Sequence, residues 1–295
     1  MTHKAGFVNI IGNPNVGKST LMNALVGERL SIITSKMQTT RHRIKGIVNG
    51  EDFQIVYSDT PGILKPGYKL QETMMKFVET ALSDADVILY VTDVKEESEK
   101  HKEYIEKVRQ AGVPVIVLIN KIDLSNQQEV IRLYNYWNGV FPGAAVFPVS
   151  ATEKFNLESV FRQILEWLPE NPPWFPKDEL TDKSERFFMS EIIREKILLN
   201  YQKEIPYSVE VEVEEFREEG GMLHIRAVIY VERESQKGIV IGKGGAALKK
   251  VGTLARQEAE EFFQRRIFLE LFVKVAPEWR NKENAIKRFG YSDEK

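Results

Sequence analysis

Gly12-Asn13-Pro14-Asn15-Val16-Gly17-Lys18-Ser19, directly after the apolar run at 7–11, decides the fold of the first half of this chain. The pattern G-x-x-x-x-G-K-[ST] is a phosphate-binding loop in which each fixed residue has a task. Gly12 and Gly17 let the backbone wrap until successive N–H groups point inward at phosphate oxygens. Lys18 is placed to reach the terminal phosphates and the Ser19 hydroxyl to ligate Mg²⁺. A helix that starts at Lys18-Ser19-Thr20 and continues through Leu21, Ala24 and Leu25 aims its positive end at the same place. Residues 12–20 therefore predict a nucleoside triphosphate site.

Asn120-Lys121-Ile122-Asp123 selects the base. It follows the strand-like run 113–119 and so falls at the carboxyl end of a strand, where open α/β sheets bind ligands. Guanine presents an N1–H and an N2 amine side by side, and the Asp123 carboxylate can accept both in charge-assisted bonds. Asn120 can bond another edge of the purine, and the Lys121 stem can lie along the base. Adenine would leave Asp123 desolvated and unpaired, which disfavours an ATPase. Val149-Ser150-Ala151 downstream completes the order of motifs and adds Ser150 and Ala151 to the expected nucleotide site.

Asp59-Thr60-Pro61-Gly62 follows the strand-like stretch 53–57. Asp59 is expected to hold Mg²⁺ through water and Gly62 to offer its N–H to the γ-phosphate. Upstream, Gln38-Thr39-Thr40-Arg41 lies in a polar connection, where a hydroxyl can complete the Mg²⁺ shell only while the γ-phosphate is present. Thr40 is chosen over Thr39 as that ligand, and residues 38–41 are read as a switch.

The 295-residue chain carries 28% charged and 42% hydrophobic residues, as an ordinary globular protein does, and has room for two cores. With no cysteine, disulfides and thiolate metal sites are excluded. No secretory segment is expected in the eleven residues before Gly12, and no apolar run approaches bilayer length, so a cytoplasmic location is expected. The formal net charge of −2 gives no global sign of nucleic-acid binding, so any such activity must be local. His3, His42, His101 and His224 show no metal-ligand spacing, and Trp167 and Trp174 read as packing residues.

Strand candidates at 7–11, 44–48, 53–57, 87–92, 113–119 and 145–148 alternate with helical patterns, which predicts an α/β domain over 1–168 with a mostly parallel sheet. Asn49-Gly50 predicts a tight primed turn joining the second and third strands as a hairpin. A helix over 157–168 closes the domain. Four prolines between 169 and 176 predict a stiff linker over 169–182. The remaining 183–295 reads as a smaller α+β domain with a basic C-terminal extension. A helix at 185–200 precedes strands at 207–216 and 222–231, then a helix through 256–263 and a last strand at 267–275. Between the later helices lies Gly238-Ile239-Val240-Ile241-Gly242-Lys243-Gly244-Gly245, followed by Lys249 and Lys250. With 19 glycines, one G-x-x-G is expected by chance, so position must carry the signal. Charge agrees with it: residues 237–288 hold twelve basic and six acidic side chains, whereas 210–219 is acidic.

These residues resemble known families. The motif order is similar to that of the translation-factor-related P-loop GTPases, and Gln38-Thr39-Thr40-Arg41-His42-Arg43-Ile44 with Asp59-Thr60-Pro61-Gly62-Ile63 looks like the Era GTPases. The order α-β-β-α-α-β with its Gly-Lys-Gly-Gly loop resembles a type II KH domain, which clamps about four single-stranded nucleotides. Gly238, Ile239, Ile241, Gly242, Lys243, Gly244, Gly245, Lys249 and Lys250 are its expected RNA contacts. The resemblance covers the whole chain. It implies Mg²⁺-dependent hydrolysis of GTP to GDP at a slow intrinsic rate, binding near the 3′ end of small-subunit (16S) ribosomal RNA, and assistance in small-subunit assembly. Ile63 stands where Ras-like enzymes carry a water-orienting glutamine, so no catalytic side chain is assigned. Asn15 is either a ligand for K⁺, as in related potassium-stimulated GTPases, or a loop-stabilising amide. A monomer is expected. Peripheral association with the inner face of the cell membrane is the competing expectation, although no basic amphipathic anchor supports it.

Overall fold

The computed structural model describes residues 2–95 and 102–291; His101 lies outside them. In the first unit, β1 (Lys4–Gly12), α1 (Lys18–Val26), β2 (Ile44–Asn49), β3 (Phe53–Asp59), α2 (Lys69–Ser83), β4 (Val87–Asp93), α3 (Lys102–Gln110), β5 (Val115–Asn120), α4 (Gln127–Val140), β6 (Ala145–Pro148) and α5 (Leu157–Trp167) alternate as the sequence predicts. The six strands form one sheet in the order β2-β3-β1-β4-β5-β6. All neighbours run parallel except the antiparallel pair β2–β3 at the edge. Helices cover both faces of such a sheet, so its central strands read as continuous apolar runs: every residue of β4 is buried. Because β3 and β4 flank β1 on opposite sides, the chain leaves β1 at a topological switch point, and the phosphate loop emerges there.

The β2–β3 hairpin forms, but without the primed turn expected of Asn49-Gly50. Asn49 pairs with Gln54 in the ladder, the Gly50 N–H donates to Phe53 O at 2.9 Å, and the tip is Glu51-Asp52. No residue from 49 to 53 has positive φ, which a type I′ turn would require. Gly50 is needed for space instead. A Cβ there would sit 2.1 Å from the Phe53 ring, which folds over the turn.

Residues 169–182 run along the first unit. Ala5 N–H bonds Pro169 O, Gln54 takes the N–H groups of Trp174 and Phe175 on its side-chain oxygen, Ile47 N–H bonds Leu180 O, and Asp182 accepts from Lys45 N–H. Contacts place the chain through Asp182, apart from Gly67–Leu70, in the first unit, and Lys183 onward in the second. Trp174 packs its ring 5.4 Å from Phe7 while remaining half exposed.

The second unit contains α6 (Glu185–Asn200), α7 (Ile205–Ser208), β7 (Glu210–Glu219), β8 (Met222–Val231), α8 (Glu234–Ile241), α9 (Ala246–Phe263), β9 (Arg266–Val275) and α10 (Glu283–Arg288). Helix α9 begins at Ala246, ten residues before the helix read through 256–263, and two further boundaries differ from expectation. Residues 205–208 form a helical turn with Pro206 at its second position rather than the start of a strand, and residues 238–241 are the last turn of a helix rather than loop. The sheet order is β7-β8-β9, with β7–β8 antiparallel and β8–β9 parallel. One sheet face, with Val211, Ile225, Ile229 and Ile267, packs with α6, α8 and α9 into an apolar core. Helix α6 is buried on more than the expected apolar side: Arg194 and Glu191 are both sequestered and paired at 2.6 Å. Near the C-terminus, Tyr291 Oη donates to Glu210 at 2.6 Å and the Trp279 indole N–H to Ser208 O at 2.9 Å, fastening the last turn onto the core.

Candidate functional site

The phosphate loop spans the gap from β1 to α1, and its glycines are fixed by space and by torsion. A Cβ on Gly12 would lie 2.1 Å from Val91 O, and one on Gly17 would lie 2.3 Å from the Asn120 amide nitrogen. Gly17 and Asn15 take positive φ, 95° and 67°. Lys18 is buried and its ammonium donates to Gly12 O at 3.0 Å and Asn13 O at 2.8 Å, bridging one end of the loop. A cleft of about 330 Å³ opens beside it, walled by Gly17, Ser19, Thr40, Gly62 and Lys121, with residues 32–36 completing the wall.

Three oxygens expected at Mg²⁺ converge in this cleft. Ser19 Oγ lies 2.8 Å from Thr40 Oγ1 and donates to Asp59 Oδ2 at 2.7 Å, while Thr40 Oγ1 donates to the same Asp59 oxygen at 3.2 Å. Thr39 turns elsewhere, onto Thr34 Oγ1 and Lys36 O, each at 2.6 Å. Asp59 is fully buried, and its Oδ1 has no hydrogen-bond partner. Burial pushes its carboxyl above the usual carboxylate range, opposed by the Ser19 hydroxyl and the Lys18 charge. A set of hard oxygens around a desolvated carboxylate suits a small divalent cation. Among the described residues no group of three or more His, Asp or Glu side chains could hold a metal.

Arg41 departs from expectation. Read as part of a polar switch loop, it is fully buried, as is Arg43 nearly so. Arg43 binds both oxygens of Asp84, at 2.6 and 2.9 Å, and reaches Asn9 Oδ1 and Ser58 Oγ, so the chain is anchored where it enters β2. Gly62 is held against the loop, since a Cβ there would lie 2.7 Å from Pro14 Cα. Thr60 bonds Ile10 O at 2.7 Å, carrying Pro61 and Gly62 over the end of β1. Ile63 is fully buried and donates its N–H to Gly12 O at 3.2 Å, so its side chain neither enters the cleft nor could polarise water.

At the base end, Asn120 engages protein where a purine contact is expected. Its amide nitrogen donates to Val16 O at 2.8 Å and its carbonyl accepts from Ala151 N–H at 3.0 Å, tying three motifs together. Lys121, in a left-handed conformation with φ 62°, donates to Asn15 O and to Asp93 Oδ2 at 2.6 Å. Asp93, at the carboxyl end of β4, went unread in the sequence; the strand-end rule for open sheets was its only signal. Asp123 is exposed in a short 3₁₀ turn and makes no side-chain hydrogen bond or ion pair among the described residues. Ser150 is buried beside Ala151 and accepts from Glu153 N–H at 3.2 Å.

In the second unit, Gly242-Lys243-Gly244-Gly245 joins α8 to α9, with φ of 74°, 59° and 78° at its three glycines. Only glycine takes such torsions without strain. Lys243, Lys249, Lys250, Gly238 and Ile239 are exposed, whereas Ile241 packs toward the core. A groove of about 350 Å³ runs from Gly245 between α9 and β9, walled by Leu248, Thr253, Arg256, Leu269 and Leu271. The sequence reading missed this wall. Its one signal was Gly252 inside a helical pattern: a Cβ there would press Leu271 at 3.2 Å, so glycine lets α9 approach the strand. An apolar groove flanked by exposed lysines and a glycine-rich loop suits single-stranded nucleic acid.

Known protein families resemble both halves of the chain. The family model described as 50S ribosome-binding GTPase matches residues 7–121, and the KH domain model matches 204–280. GTPase Era of Ruminiclostridium cellulolyticum is 40% identical over 297 residues, spanning 100% of both chains. GTPase Era of Clostridium kluyveri is 42% identical over 290 residues, covering 98% of this chain and 99% of its own. Among solved structures, Era in complex with MgGDPNP and nucleotides 1506–1542 of 16S ribosomal RNA superposes with a TM-score of 0.94 at 40% identity, covering 98% of this chain and 99% of that one. An Aquifex aeolicus Era variant bound to GDP·AlF4⁻ gives the same TM-score at 39% identity, with coverage of 98% and 99%. With its phosphate loop, guanine motif and G-x-x-G groove in one chain similar from end to end to these proteins, the protein belongs to the Era family of GTPases.

Proposed function

We propose that this chain is a GTP-hydrolysing switch that binds small-subunit ribosomal RNA near its 3′ end through the KH groove and assists small-subunit assembly. The observation that carries the switch is the convergence of Thr40 with Ser19 and Asp59, which ties residues 34–40 to the phosphate loop. Ser19 and Thr40 would hold Mg²⁺, with Asp59 behind them, and the ion when bound neutralises charge on the β- and γ-phosphate oxygens. Loop N–H groups and the start of α1 receive the phosphates, and the Lys18 ammonium, now on loop carbonyls, exchanges these for phosphate oxygens. Asp123 accepts the guanine edge, while Lys121, steered by Asp93, lies along the base. K⁺ at the exposed Asn15 belongs to the same proposal, because Ile63 leaves the attacking water without a side-chain orienter.

The broad GTPase model is named for the large subunit, but the relatives that match over full length are Era, and an Era structure holds 16S RNA. That favours the small subunit. Among the described residues no helix is long and apolar enough to cross a membrane. The test is binding of a labelled 3′-terminal small-subunit RNA oligonucleotide to the parent and to Gly242→Asp/Lys243→Asp. The double variant should lose RNA while hydrolysing GTP at the parental basal rate. Undiminished RNA binding by the variant would remove the groove from the proposal.

A further inference from the structure

The loop at 242–245 has little packing of its own. A Cβ on Gly244 or Gly245 would have no neighbour within 4 Å, whereas one on Gly242 would lie 2.6 Å from Ala247 Cβ. The direction of the loop is therefore set by the helices at its two ends. Helix α9 is long, and Val251, Ala255 and Ala259 root it in the core. Helix α8 has only eight residues, and a helix that short does not hold itself in water, so its place depends on anchors from elsewhere in the unit.

Both ends of α8 have such an anchor. At its start, the buried Gln236 accepts from Glu232 N–H at 2.9 Å and Arg233 N–H at 3.1 Å. Its last turn is more exacting, because the final carbonyls of a helix lack intrahelical donors. Gly238 O is taken by Gly242 N–H at 2.9 Å. Val240 is fully buried, so water does not serve its carbonyl; the Tyr201 hydroxyl does, donating to Val240 O at 2.7 Å. Tyr201 is itself fixed, since its N–H closes α6 on Ile197 O at 3.0 Å. Burial raises the pKa of its hydroxyl above the usual tyrosine value, which keeps the proton in this bond. Phenylalanine would fill the same core, so the hydroxyl answers to the carbonyl two residues before the loop.

We propose that Tyr201 is a positioning residue for phosphate binding at 242–245: its hydroxyl locks the last turn of α8 and so sets the direction in which Lys243 and the loop N–H groups meet the RNA backbone. This role rests on the RNA reading of the groove. Without the hydroxyl, Val240 O is left unpaired whenever the turn is closed, and the turn opens more often. Binding then selects a smaller competent fraction, and affinity falls by that fraction.

The experiment compares the full chain with Tyr201→Phe at a temperature where both are folded. Binding of a labelled 3′-terminal small-subunit RNA oligonucleotide should weaken roughly fivefold, the population that one net hydrogen bond controls. Amide exchange in the RNA-free protein supplies the second readout. Exchange at Gly242 should quicken by roughly the same factor, while Val251 and Ala255 in α9 keep parental rates. Undiminished RNA affinity in Tyr201→Phe would overturn the role and leave the groove. So would quickening spread equally over Val251 and Ala255, which would make the tyrosine a general stabiliser of the unit. If the parent binds no RNA, the groove reading falls and the role with it.

Discussion

Replacing Asn120 by alanine separates bracing from base recognition. In the parent, Asn120 is 2% exposed and spans the gap between Val16 O and Ala151 N–H, which belong to residues 2% and 4% exposed. Alanine would leave both backbone groups without partners in a place that water does not reach. An orphaned buried donor or acceptor costs about 1–3 kcal/mol, so the pair costs about 2–6 kcal/mol. That is a large share of the roughly 5–15 kcal/mol by which a domain is stable. Even about 2 kcal/mol lowers the unfolding midpoint of a unit this size by about 4–8 °C. The assay is thermal and urea unfolding of nucleotide-free protein, with Asp123→Asn in parallel. Asp123 is exposed and has no side-chain partner among the described residues, so its substitution should leave stability within about 0.5 kcal/mol and shift preference from GTP toward xanthosine triphosphate. If Asn120→Ala also unfolds within about 0.5 kcal/mol of the parent, the bracing role is refuted.

Three further substitutions follow from the same geometry. Thr40→Ala should lower Mg²⁺-dependent GTP hydrolysis by tenfold or more with GDP affinity little changed, on the order of one lost transition-state contact; Thr39→Ala, which removes the bonds to Thr34 and Lys36 and leaves the Ser19–Thr40–Asp59 cluster in place, should cost less. Ile63→Gln, read in a single-turnover assay, should not accelerate hydrolysis. It should destabilise the first unit by about 1–3 kcal/mol, because the amide enters a fully buried apolar position. Tyr291→Phe removes the 2.6 Å bond to Glu210 and should destabilise the second unit by about 1–3 kcal/mol in urea unfolding, with GTP hydrolysis unaffected.

What the sequence made legible was chemistry confined to short segments. The phosphate loop, Asn120 to Asp123 and Gly242 to Gly245 need particular residue types at fixed spacing, because backbone torsion and ligand geometry are set within a few residues. The alternation of strands and helices could be read for the same reason. What could not be read depends on partners distant in the chain. The Gly50 turn is governed by where the Phe53 ring folds, and the Asn49-Gly50 dipeptide does not reveal it. The burial of Arg41 and the binding of Arg43 to Asp84 are settled by packing across the sheet. Asp93 meets Lys121 only because β4 and β5 are neighbours in register. The groove wall at Leu269 and Leu271 required the parallel pairing of β8 with β9.

The coupling of nucleotide to RNA is tested most directly by one linked titration. Affinity for the 3′-terminal small-subunit oligonucleotide is measured with GDPNP and with GDP, and affinity for each nucleotide is measured with and without the RNA. A switch requires the two nucleotide states to differ in RNA affinity by about fivefold or more, and the same factor must reappear in the RNA-dependent change of GDPNP over GDP affinity. Equal RNA affinity in both states would contradict the switch and leave a GTPase and an RNA-binding unit joined in one chain without communication.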